Sequence, residues 1–391
     1  MIAPDKIIYL DNNATTQVDP AVLEEMLPFL SNYYGNPSAG YRFGTQVRKA
    51  IELARERVAA LLGCLSSEIV FTSGGTESDN AALHSALQLD PARQHLVTTA
   101  VEHSAIRKDC EQLLQHGCEV TAVGVDENGN LDLDELGNAI RAETAIVSVM
   151  WANNETGVLF PVEKIAALAR MKRVLFHTDA VQAIGKIPVR LADFPVNFCS
   201  VSAHKLHGPK GVGALYVSRG SIFRPSSFGG GQENNRRAGT ENVASIVGFG
   251  KAAEIAAAKL SEEGKRVGAL RDRFEEGLLA VVPESFVNGN RTTRLPNTAS
   301  VSFAGIESGA ALIMLDQQNI CCSAGSACHT GSLQASHVLR AMNLSEERLR
   351  GSLRFSFGRF NTEAEVDRAL EIVPRVIAKV RAMSPRHAAA I

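Results

Sequence analysis

An α/β fold is predicted for this 391-residue chain, and three features predict it. Apolar runs of strand length alternate with segments of helical periodicity, the pattern of a mainly parallel sheet covered by helices on both faces. Thr76, His103, Asn154, Asp179 and Lys205 each come just after such a run, and in these sheets sites form beyond the carboxyl ends of the strands. The remainder of the chain carries strands near 298–303 and 352–356 and a closing helix, which predicts a smaller α+β domain. We assign 14–262 to the large domain and 1–13 with 263–391 to the small one.

Taken in order, Tyr9 and Leu10 end a short apolar strand, and the Asn12-Asn13 step and Asp19-Pro20 mark turns before a helix from about Ala21 to Phe29. Val47, Ile51, Ala54, Val58, Leu61 and Leu62 fall at helical spacing, with Thr45 as the expected N-cap. Ile69 to Phe71 reads as a strand, followed by Gly74-Gly75-Thr76 and a helix through Ala81 to Leu89. Further strands are expected near 96–99, 119–123, 145–150, 174–176, 196–201 and 214–217. Helices are expected near 106–115, 133–141 and 162–169. A long helical pattern spans about Ala252 to Leu279, with Val267, Leu270, Phe274 and Leu278 on one stripe. Val366, Leu370, Val373, Ile377 and Val380 mark the closing helix.

Composition narrows the function classes. A hydrophobic content of 45% excludes a disordered chain, and no apolar run is long enough to span a bilayer. The first residues show neither a basic n-region nor an apolar h-region, so a cytoplasmic location is expected. A formal net charge of -2 leaves no basic footprint for nucleic acid. The seven cysteines lack the spacing of a zinc site, and their odd number fits reduced thiols. Cys64, Cys110, Cys118 and Cys199 read as small buried hydrophobes.

The chemistry gathers around Ser202-Ala203-His204-Lys205. A lysine at a strand end is ordinarily a solvated charge. A lysine held among apolar walls instead loses proton affinity and becomes a Schiff-base nucleophile. Asp179 stands 26 residues before Lys205, also at a strand end. A lysine for a covalent link and a carboxylate to keep a pyridine nitrogen protonated are the pair that pyridoxal phosphate chemistry needs. Gly75 and Thr76 open a helix after a strand, where free N-H groups suit a phosphate. The P-loop pattern is absent. In Ser323-Ala324-Gly325-Ser326-Ala327-Cys328-His329-Thr330-Gly331 small residues surround one thiol. Such a segment makes poor core and reads as a mobile loop carrying a nucleophile.

With these motifs the chain resembles the cysteine desulfurases of the NifS/IscS type, pyridoxal phosphate enzymes of the aspartate aminotransferase fold group. The likeness runs from Tyr9-Leu10-Asp11-Asn12-Asn13-Ala14-Thr15-Thr16 to Arg354-Phe355-Ser356-Phe357-Gly358-Arg359-Phe360. It implies fold type I with a seven-stranded sheet, pyridoxal 5'-phosphate as cofactor and L-cysteine as substrate. It also implies a homodimer in which Thr240 reaches the phosphate of the other subunit. By resemblance Gly75, Thr76, Ser202 and His204 hold the phosphate, His103 stacks on the ring and moves protons, and Gln182 bonds the ring hydroxyl. Asn154 faces cofactor and substrate carboxylate, Arg354 clamps that carboxylate, and Cys328 takes the sulfur as a persulfide for a sulfur-acceptor protein. Cys321 and Cys322 read as packing. Tyr41 stands where many relatives have histidine, and relatives that dock an iron-sulfur scaffold carry a longer tail, so iron-sulfur assembly and another sulfur pathway both remain open. A selenocysteine lyase uses the same residues and stays open as well, as does a non-catalytic sulfur carrier that retains the fold.

Overall fold

The computed structural model describes residues 6–324 and 336–383. Its larger sheet has seven strands in the order Ile69–Thr72, Gly213–Val217, Phe198–Ser202, Leu175–Asp179, Thr144–Ser148, His95–Thr99, Glu119–Val123. Only Gly213–Val217 runs against its neighbours; the other pairings are parallel. Side chains alternate across a strand, and here both faces are covered. Ile69, Phe71, Val97, Val147, Cys199 and Tyr216 enter one core, while Val70, Leu96, Ile146, Phe198 and Leu215 enter another. Burial on both sides is why these strands read as continuous apolar runs.

A second, antiparallel sheet joins Ser323–Ala324, Ser352–Ser356, Thr298–Phe303 and Ser285–Val287. Ile8–Tyr9 pairs in parallel with Ile320–Cys321, and Asp11 bridges to Ser356. The core of this part holds Leu10, Phe274, Val301, Phe355 and Ile377. Helix Val243–Val281 serves both cores. Phe249, Ala252 and Ala256 pack in the large one and Val267, Leu270, Phe274 and Leu278 in the small one. The change falls between Ala256 and Val267. Among the described residues no helix is long and apolar enough to cross a membrane.

Three local expectations are corrected. The helix expected over 21–29 is two helices, Pro20–Met26 and Pro28–Ser31, because Pro28 has no N-H to continue the ladder. The helix assigned an N-cap at Thr45 begins earlier, at Arg42, after Tyr41. Thr45 lies inside it and donates its hydroxyl back to the Tyr41 carbonyl at 3.3 Å. The strand expected at 174–176 continues through polar residues to Asp179. His177 is fully buried there between the Ser148 and Ser200 hydroxyls at 2.8 and 2.9 Å. Satisfied polar groups let a strand stay buried beyond its apolar stretch.

Candidate active site

Beyond the carboxyl ends of the parallel strands lies a cavity of about 240 Å³, and Gly75, Thr76, His103, Asn154, Asp179, Gln182, Ser202, His204 and Lys205 all line it. A larger groove of about 750 Å³ opens at the opposite end of the sheet around Cys64, Arg173 and Phe194. It has no lysine and carboxylate pair, so the chemistry points to the smaller cavity.

Lys205 ends the short turn Ala203–Lys205 that follows strand Phe198–Ser202. Its Nζ donates to the carbonyls of Asn13 at 2.5 Å and Ala14 at 2.8 Å. Burial, and then the Arg354 cation, bring its pKa down to about 8 against the pull of Asp179 and Asp11. A larger share of free amine near neutrality follows.

Asp179 ends the neighbouring strand and accepts from the Val181 N-H at 2.9 Å. Burial raises its pKa, with His103 and Lys205 opposing. It is a carboxylate that gains from a cation placed in the cavity. Behind it stands Asp79, from helix Gly75–Leu87, 1% exposed. Burial and the charge of Asp179 hold Asp79 well above the carboxylate range. Burial thus works against the charged form of both acids, and the cations His103 and Lys205 oppose that rise at Asp179. His177 lies against Asp79 at 3.5 Å, and burial lowers its pKa to about 3, so it adds no cation.

The phosphate end is shaped by backbone. A Cβ on Gly75 would meet Val181 Cγ2 at 2.7 Å, so only glycine leaves that approach open at the start of the helix. Ser202 is buried beside it. His204 bonds Thr15 Oγ1 at 3.1 Å, and burial with the nearby Lys205 charge takes its pKa down to about 4. It is a neutral neighbour. His103 caps helix Ser104–Gln115 and accepts from Ala105 N-H at 3.2 Å through Nδ1. In the neutral ring the proton therefore sits on Nε2. The turn before it is held by Glu102, which accepts from Thr99 Oγ1 and Met150 N-H at 2.7 and 3.0 Å.

Gln182 is oriented from two sides: Nε2 donates to the Asn13 carbonyl at 2.9 Å and Oε1 accepts from Lys186 Nζ at 2.7 Å. Arg354, 7% exposed, stands just behind the cavity wall, donating to the Asn154 carbonyl at 2.9 Å and to Asp11 Oδ1 at 2.8 Å. Its Nε is buried and has no hydrogen-bond partner among the described residues. Asp11 also accepts from Ser323 Oγ at 3.0 Å. Thr240 is exposed and does not line the cavity of its own chain. Its segment is moored beside the cavity by Arg237, paired with Glu77 at 2.9 Å. Cys328 lies outside the described residues. Burial pushes the Cys322 thiol above its ordinary range and raises Cys321 as well, so neither is set up as a thiolate.

Asp11, Asn13, Asp79 and Lys186 are site residues that the motif reading did not single out. The first two lie inside the quoted Asp11-Asn12-Asn13 stretch, and the others gave no signal because their partners are distant in sequence.

The residues fit pyridoxal phosphate. Asp179 suits a protonated ring nitrogen, the amine of Lys205 suits the aldehyde carbon, and the helix start at Gly75 suits the phosphate. Fold and cavity together define a pyridoxal phosphate enzyme of fold type I. The chain belongs to the class-V aminotransferase family, whose model matches residues 8–369. It is similar to a protein named cysteine desulfurase from Nostoc sp. (strain PCC 7120), with 52% identity over 379 residues, 97% of this chain and 95% of the relative. Among solved structures, a NifS-like protein superposes with a TM-score of 0.90 at 39% identity, covering 95% of this chain and 100% of that one. Another, described as SspA in complex with cysteine, gives a TM-score of 0.80 at 34% identity, covering 90% of this chain and 99% of that one.

Proposed function

We propose that this protein is a cysteine desulfurase that takes sulfur from L-cysteine, releases L-alanine and carries the sulfur as a persulfide on Cys328. The observation that carries the reading is the Lys205 amine, brought to a pKa of about 8, in one cavity with Asp179, His103 and Asn154, with Arg354 hydrogen-bonded to the carbonyl of that Asn154.

Bound pyridoxal phosphate supplies an electron sink for negative charge at the substrate Cα. The chain supplies the rest. Arg354, steadied by Asp11 and the Asn154 carbonyl, is the residue for the substrate carboxylate. Lys205, as free amine, takes the Cα proton. His103, once protonated, returns a proton to the carbon skeleton. The Cys328 thiolate attacks the substrate sulfur: an S–S bond forms, the Cβ–S bond breaks, and the bonding pair stays with carbon. Protonation of that carbon yields the methyl group, and return of the proton from Lys205 to Cα completes L-alanine. The persulfide sulfur then passes to an acceptor protein, in iron-sulfur cluster assembly or another sulfur pathway. Thr240, exposed in its own chain, reads as the contribution of a second subunit in a homodimer. A cytoplasmic location fits this chemistry.

The test compares wild type and Cys328→Ala, following the visible band of the cofactor and alanine release from L-cysteine with reductant. Alanine formation lost in the variant with the band retained supports the reading. Alanine formed at the wild-type rate would remove Cys328 from the reaction, and selenocysteine would become the substrate to assay.

A further inference from the structure

Asn13 is 1% exposed and stands three residues after Leu10, a member of the small core. Its backbone carbonyl accepts from Lys205 Nζ at 2.5 Å and from Gln182 Nε2 at 2.9 Å. Its backbone N-H donates to Ser356 Oγ at 2.9 Å. The side-chain Nδ2 donates to the Asn154 carbonyl at 3.1 Å and to Thr298 Oγ1 at 2.8 Å. Oδ1 accepts from Asn297 Nδ2 at 2.9 Å and from Lys186 Nζ at 3.3 Å. A primary amide has two N-H donors and two lone pairs, and a peptide unit has one donor and two lone pairs. Every one of these positions on Asn13 is filled. Its orientation is not arbitrary either, since the Asn154 carbonyl can only accept and must face Nδ2.

Two of these partners lead further. The Asn154 carbonyl also accepts from Arg354 Nη1 at 2.9 Å, and Lys186 also donates to Gln182 at 2.7 Å. The residue therefore touches Lys205 directly and Arg354 through one shared oxygen. Its other contacts reach strands Thr298–Phe303 and Ser352–Ser356 of the second sheet. An α-amino acid bears its carboxylate and its reacting hydrogen on the same carbon. The clamp and the base must then keep one spacing, and misplacement by about 1 Å can cost about 100-fold in rate.

We propose that Asn13 is the positioning residue that sets the spacing between the Lys205 amine and the Arg354 guanidinium. The inference rests on the roles proposed above for those two residues. Asn13 touches no substrate in this scheme. Its side chain fixes where its own backbone carbonyl stands, and that carbonyl holds the amine. The same side chain fixes the Asn154 carbonyl against which the guanidinium rests.

The experiment uses the full-length, cofactor-loaded protein with the near-isosteric Asn13→Asp, which sets an oxygen against the Asn154 carbonyl, and Thr298→Val, which deletes one partner of Asn13 without touching it. Three quantities are read: KM for L-cysteine, the position of the visible band, and the thermal midpoint. Expected for Asn13→Asp are a KM raised about tenfold or more and a displaced band in the same variant. Thr298→Val moves both in the same direction by less. Val58→Ala, in the large core, serves as the stability control and lowers the midpoint with KM and band unchanged. The proposal is overturned if Asn13→Asp keeps the wild-type KM and band, or if Val58→Ala reproduces its changes. Should Asn13→Asp not fold, an unchanged KM and band in Thr298→Val overturn it. Lys205→Ala separates the two claims, because a band that survives there undoes the role given to Lys205 and leaves the question of Asn13 apart.

Discussion

Lys205 shows how one side chain acquires chemistry from its surroundings. An exposed lysine titrates near ~10.4, whereas burial and Arg354 bring this amine to about 8. The sign follows directly: burial disfavours the ammonium, so the nucleophilic free amine is present at lower pH than for an exposed lysine. The expected outcome is that capture of pyridoxal phosphate by the apoprotein, followed by the rise of its visible band, accelerates with pH to a plateau with a midpoint near 8. A midpoint near that of free lysine would contradict the burial argument. Lys205 and Asp179 were legible in the sequence because each is a polar residue at the end of an apolar run. Asp79 was not, since its pKa is raised first by burial and then by the charge of Asp179, a residue on another element.

At the scale of elements, the site depends on where strands stop and helices begin. Helix Gly75–Leu87 starts against Val181, the second residue after strand Leu175–Asp179. A Cβ on Gly75 would lie 2.7 Å from Val181 Cγ2. Gly75→Ala is expected to push these two segments apart at a cost of about 1–3 kcal/mol. Because the displaced segments carry Thr76 and Gln182, cofactor affinity should fall by about tenfold or more, as measured by equilibrium dialysis. An unchanged dissociation constant would mean that the helix start is free to shift. The strands and most helices were legible from periodicity, whereas element ends were not. Strand Leu175–Asp179 extends through His177 because Ser148 and Ser200 satisfy its ring, and neither serine is near it in sequence. The extension matters, since it carries Asp179 to the cavity.

On the scale of the whole molecule, two cores meet along one helix, and the site draws on both. Arg354 comes from the antiparallel sheet and Lys205 from the turn after strand Phe198–Ser202 of the mainly parallel one. A second subunit is the remaining component, proposed through Thr240. If Thr240 completes the partner's site, Thr240→Val should weaken cofactor binding about 10- to 100-fold, the worth of a hydrogen bond to a charged group. Subunit mixing then has a definite result. Lys205→Ala chains keep Thr240, so combining them with Thr240→Val chains should restore tight binding at the intact lysine sites of mixed dimers. No restoration on mixing would place Thr240 in its own chain's economy instead.

The sequence by itself determined the α/β class, the order of strands and helices, and the residues that stand at strand ends, because strand burial and helical periodicity are written locally. It also carried the motifs that resemble one enzyme family. What only the tertiary structure decided is how those residues are held: Asn13 joining Lys205, Gln182 and Asn154, Lys186 turning Gln182, and Asp11 occupying one arm of Arg354. The physical reason is that hydrogen bonds between residues far apart in the chain leave no periodic trace. They exist only once two cores have brought their donors and acceptors within reach.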